Sequence, residues 1–135
     1  MSDARHGAVV LRVGGGLAWL PASSVARLVP LPALGAVPNA PLDLAGVAHA
    51  GGEVMPVVDL RAPGDRARPP EGTLVVCTHV GEPLGLAGAA IVGVGHYDAD
   101  PEHPESCVVG GERARPLDLA PIAARIGAHG WGRGA

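Results

Sequence analysis

The densest run of chemically capable side chains is "HYDADPEHPES", residues 96–106, where His96, Asp98, Asp100, Glu102 and His103 crowd one acidic stretch. Imidazoles and carboxylates are metal ligands. The spacing fits no calcium loop, because the sixth position from Asp98 is His103 rather than glycine and the twelfth is Val109 rather than glutamate. Pro101 and Pro104 suit an extended, solvated loop, and no metal site is assigned. Nucleophiles fare no better. Ser2, Ser23, Ser24 and Ser106 sit in no Gly-x-Ser-x-Gly elbow. Cys77 and His79 are two residues apart, which on a strand only puts them on one face. Cys77 reads as a small core residue. Gly14–Gly16 is no phosphate loop, since the Gly-Lys ending is missing and the chain has no lysine. Asp59 and Asp118 recur in matching settings, which suits carboxylates bonding turn amides. No catalytic residue and no cofactor are assigned.

The whole chain sets the limits within which such residues are placed. Its 135 residues suit one domain, or two small ones sharing a core. With 47% hydrophobic and 17% charged residues it is too apolar for disorder, so its 21 glycines and 14 prolines read as turns between short strands. There is no Phe, one Tyr and two Trp, which leaves Val, Leu, Ile and Ala to fill the core and favours β structure. All ten basic residues are Arg, the net charge is −3, and no basic cluster or aromatic platform suits nucleic acid. The start "MSDARHGAVVLRV" reads as neither signal peptide nor membrane span, which predicts a reduced, cytoplasmic protein without direct membrane insertion. Two cysteines, Cys77 and Cys107, leave a disulfide open, although a small secreted scaffold usually carries more.

Two apolar runs joined by glycines at residues 8–21 predict a β-hairpin, and residues 74–88 repeat it around Gly81-Glu82-Pro83. The phrase "GGEVMPVVDL", residues 51–60, returns as "GGERARPLDL", residues 110–119. Hairpins and closing phrases in matching places indicate a duplication, with halves of about 8–60 and 73–119 and a connector at 61–72. Pro56 and Pro116 lack an amide and are expected at an edge or a bulge. A short helix is expected after Pro21, capped by Ser23 or Ser24, and a C-terminal one over "APIAARIGAHG", ending near Gly127 and Gly130. Many short strands with little helix mean small barrels or a sandwich. Apolar surface without visible chemistry suggests a docking module.

The segment "LPASSVARLVPLPALGAVPNAPLDLAGVAHAGGEVMPVVDL" resembles the CheW-like domain of bacterial chemotaxis coupling proteins. Leu20, Pro21, Val25, Pro38, Pro41, Gly46, Val47, Gly52, Val54, Pro56, Val57 and Asp59 are among the matches, and "EPLGLAGAAIVGV" and "PLDLAPI" continue the pattern over about residues 8–126. The resemblance implies a single, mainly β domain of two five-stranded SH3-like barrels over a shared core, with a short C-terminal helix. It implies a non-catalytic scaffold joining a CheA-type histidine kinase to methyl-accepting chemoreceptors, recruited to membrane-associated receptor arrays. The partner-binding residues it implies are Arg27, Val47, His49, Gly51, Gly52, Val57, Gly85 and Ala89. The contact chemistry departs from the pattern. His49 and Gly51 replace an asparagine and an arginine, Arg27 replaces an acidic residue, and Ala89 replaces an aspartate. A standard partner is therefore expected to bind weakly. Two other readings stand beside this one: a CheW-fold structural or regulatory module in a pathway without receptor contact, and a small metal- or ligand-binding barrel.

Overall fold

The computed structural model describes residues 4–127. Ten strands follow one another: β1 (Arg5–Val13), β2 (Gly16–Pro21), β3 (Val25–Pro30), β4 (Leu44–Ala50), β5 (Glu53–Asp59), β6 (Thr73–His79), β7 (Glu82–Ala87), β8 (Ala90–Asp98), β9 (Cys107–Val109) and β10 (Glu112–Pro116). One helix, α1 (Leu119–Gly127), ends the described chain. Gly127 is its last residue, and Gly130, the other expected stop, lies outside the described residues.

The strands form two five-stranded sheets, ordered β8-β1-β2-β10-β9 and β3-β6-β7-β5-β4. One bridge closes each sheet on itself, Ala99 to Cys107 in the first and Gly35 to Val47 in the second. Exchanging β1–β5 with β6–β10 converts one order into the other, the topology of a duplicated five-strand unit. The two halves do not each build a barrel. The hairpin β1–β2 joins β8, β9 and β10 from the second half, while β6–β7 joins β3, β4 and β5 from the first. Hairpins have been traded between the repeats.

The trade explains why β1 and β6 bury residues on both faces. Ala8 and Val10 point into the first barrel with Leu17, Trp19, Cys107 and Ala114, whereas Val9 and Leu11 point into the shared core. Leu74 and Val76 fill the second barrel with Ala48, Met55, Val57 and Ala87, whereas Val75 and Cys77 face the shared core. Leu119, Ile122 and Ile126 of α1 close that core. Their spacing is one helical stripe. Cys77 and Cys107 are both free and lie in separate cores.

Several local expectations need correction. After Pro21 there is only a 3₁₀ turn, Ala22–Ser24, with no side-chain cap bond, and the β-branched Val25 already begins a strand. The hairpin turns fall at Gly14-Gly15 and Val80-Gly81, so Glu82 and Pro83 belong to β7. His96 and Asp98 belong to β8 rather than to a loop. Pro56 and Pro116 sit in β5 and β10, which are interior strands. Each is tolerated because its missing donor has no partner to serve. Val47, opposite Pro56, turns its amide and carbonyl to Gly35 instead, and pairing of β5 with β7 begins only at Val57. Pro116 lies past the last residue that β9 reaches, Ala114. The repeated Gly-Gly does turn the chain. Gly51 and Gly52 have φ +57° and +81°, Gly110 and Gly111 +56° and +83°, the positive pair that a two-residue hairpin loop demands. Asp59 and Asp118 each accept a bond from the amide two residues on, Arg61 and Ala120.

Candidate functional site

The β4–β5 hairpin carries the most distinctive surface of the second barrel. Its tight loop leaves His49 and Val54 as an exposed cross-strand pair, with Val54 51% exposed. Strand β3 faces this hairpin across the barrel seam. A register shift between Val25 and Arg27, with Ala26 as the extra residue, turns Arg27 toward the loop. Its Nη2 donates to the Ala50 carbonyl and to Glu53 Oε1, each at 3.2 Å. The guanidinium lies directly over Gly51, where any Cβ would collide with it. Gly51 is thus fixed twice, by its positive φ and by the arginine above it. The Arg27 Nε is the buried side-chain nitrogen or oxygen that finds no partner among the described residues.

Of the residues the sequence pointed to, Arg27, His49, Gly51 and Gly52 come together here. Val47 is half-buried at the bridge to Gly35. Val57 and Gly85 are register partners inside the barrel, out of a partner's reach. A Cβ on Gly85 would come within 2.8 Å of Leu74 Cδ1 and 3.1 Å of Val57 Cγ2, so this glycine serves packing. Ala89 lines a different feature, a cleft of about 450 Å³ with Arg61, Glu71 and Thr73. Glu53 was legible only as a letter of the repeated phrase, and nothing in the sequence paired it with Arg27.

Several other charged groups hold loops in place. Asp59 is 5% exposed and takes Arg61 in a forked pair at 3.0 and 2.7 Å. Burial pushes its carboxyl upward, but the Arg61 bonds and the Arg66 charge outweigh this and hold it below its ordinary value. Arg66 donates to the carbonyls of Leu42, Asp59 and Arg61, pinning the connector 61–72 to the barrel. Asp100 accepts Arg113 Nε at 2.7 Å and the amides of Glu102 and His103, and its carboxyl is held low chiefly by that arginine. Trp19 Nε1 and His6 Nε2 donate to the carbonyls of Glu105 and Pro104, so the acidic loop is a fixed lid on the first barrel. Among the described residues no three His, Cys, Asp or Glu side chains converge on a metal position. Burial pushes the Cys77 thiol up to about 12, which keeps it protonated at neutral pH.

Two traded barrels thus close over one core, each with a matched glycine hairpin. The profile of the CheW-like domain matches residues 7–116. The chain belongs to the CheW-like family. The fold agrees with the crystal structure of the scaffolding protein TtCheW from Thermoanaerobacter tengcongensis. That match has a TM-score of 0.69 at 17% identity and covers 86% of this chain and 90% of the other. No curated protein sequence matches the chain. None of the described helices is long and apolar enough to cross a membrane.

Proposed function

We propose that this CheW-like chain is a non-catalytic adaptor coupling a CheA-type histidine kinase to methyl-accepting chemoreceptors in a chemotaxis-like pathway. Family membership carries the reading. The state of the chain's reactive groups supports it, because Cys77 is a protonated core residue and Asp59 and Asp100 are spent on arginines. The adaptor acts in the cytoplasm at receptor arrays, as one domain over about residues 8–126.

Its docking face in this reading is Arg27, Val47, His49, Gly51 and Gly52, with Leu28 and Val54 supplying apolar contact. Exposed valine and leucine supply apolar area around an arginine, a residue type enriched among interface anchors. Val57 and Gly85 hold the strands beneath. Ala89 lies apart from this face. A partner suited to an acidic residue at 27 and an arginine at 51 meets the opposite charge at Arg27 and none at Gly51, and binds weakly.

The test is sedimentation of the purified chain with a CheA-type regulatory domain and, separately, with a chemoreceptor cytoplasmic fragment. Association with either, weakened about tenfold or more by Val54→Asp, is expected from burial of a charge in an apolar contact. No association with any kinase or receptor of the family would set the reading aside.

A further inference from the structure

Arg27 is held differently from the other half-buried arginines of this barrel, Arg61 and Arg66. Arg61 uses Nε and Nη2 to make side-chain bonds of 3.0, 2.7 and 2.8 Å, and Arg66 spends all its nitrogens on carbonyls and a carboxylate. Arg27 makes both of its bonds from one nitrogen, at 3.2 Å, the longer end of the N–H···O range. Its Nε is buried and unpaired, a costly state for a donor on a cation. The seat beneath it exists only because Gly51 has no Cβ. The topologically equivalent glycine, Gly110, has φ +56° and nothing within 4 Å of a built Cβ. A guanidinium stacked on the loop is therefore particular to this barrel.

We propose that Arg27 is the specificity-determining residue of the docking face: a guanidinium parked over Gly51 that swings out to take an aspartate or glutamate of the partner protein. This deepens the adaptor reading and rests on it for the existence of a partner. The parked state supplies two long bonds and leaves Nε empty. A partner carboxylate satisfies Nε and Nη2 together, as Asp59 does for Arg61. Glu53 is the internal stand-in for that carboxylate, half-exposed and reached by Nη2 alone. Leu28 and Val54 are exposed on the strands at either side, so the matching segment is extended and carries apolar residues beside its acid.

The experiment follows the arginine Nε–H signals of the ¹⁵N-labelled full chain during titration with the capped peptide Val-Glu-Val-Glu-Val and its Val-Gln-Val-Gln-Val counterpart. The Glu peptide is expected to shift Arg27 while leaving Arg61 and Arg66 still, and the Gln peptide to leave Arg27 in place. Arg27→Lys keeps the charge but loses the fork, and should weaken the Glu peptide about tenfold. In the free chain, Gly51→Ala should speed Arg27 Nε–H exchange by at least ~10-fold through loss of the seat, while Gly110→Ala, with the same backbone cost, leaves it unchanged. If Gly51→Ala does not fold, the titration and Arg27→Lys still decide. Equal binding of both peptides on the His49–Val54 face would leave the docking reading intact and overturn the role of Arg27. Silence of the face toward both peptides would overturn the two together. Unchanged Arg27 exchange in a folded Gly51→Ala chain would overturn the parked state whatever the peptides do.

Discussion

The Arg27 guanidinium occupies the space that a side chain at Gly51 would need. The two positions are 24 residues apart in the chain, yet the identity of one dictates what the other can be. Gly51→Arg alone should therefore cost more than its backbone strain, which is about 1–2 kcal/mol for a left-handed residue. Adding Arg27→Glu empties the seat and offers the new arginine a partner. Chemical denaturation of the wild type, the two single variants and the double variant should give a coupling energy of about 1–3 kcal/mol in favour of the pair. Additive effects would mean that the two side chains do not share that space in solution.

Val80 leads the turn between β6 and β7 with φ +50°, a β-branched residue in the left-handed region, and is 85% exposed. It gains nothing visible from burial to offset the strain. Val80→Asn keeps the turn and suits its first position, so stability should rise by about 1 kcal/mol, or a few degrees in Tm. A fall in Tm would show that the valine makes contacts worth more than the strain.

Asp59 links folding to acidity. A carboxyl whose folded value lies below its ordinary 3.8 contributes stability that is complete above that pH and is lost as pH falls through the folded value. Asp59→Asn should therefore remove about 3 kcal/mol at pH 7, since it leaves Arg61 without its buried anion. The variant should also show a shallower loss of stability below pH 4. Urea melts at pH 7, 4 and 3 read both effects, and parallel curves for the two proteins would refute the linkage.

The traded hairpins make the halves interdependent. A fragment ending in the connector holds β1–β5 but lacks the two central strands of its own barrel, β6 and β7. Residues 1–66 and 67–135 expressed separately should each lack cooperative melting, and mixing them should restore β structure with a single transition. Independent folding of either fragment would contradict the exchange.

How much of this was written in the sequence depends on the range of the interaction. The Gly51-Gly52 and Gly110-Gly111 turns were legible because a positive φ is a local demand that glycine answers. The recurring Asp59 and Asp118 were legible as amide acceptors for the same reason. The matched hairpins revealed the duplication, but not which barrel each hairpin enters. That choice is made by pairing β2 with β10 and β7 with β5, contacts spanning long stretches of chain that periodicity does not encode. Pro56 misled for a related reason. Whether a missing amide matters depends on where Val47 sends its own bonds, and those go to Gly35. At the candidate site, the resemblance picked out Arg27 and Gly51 as separate departures. Only the register shift at Ala26 and the closure of the barrel put one on top of the other.

The adaptor role is tested most directly by kinase output. A CheA-type kinase and a clustered receptor fragment should be assayed for autophosphorylation with no adaptor, with this chain, and with its Val54→Asp variant. The chain is expected to raise the receptor-dependent rate severalfold, and the variant, although folded, to leave it unchanged. A rate unchanged by the chain while the chain is seen to bind the kinase would contradict coupling as its function.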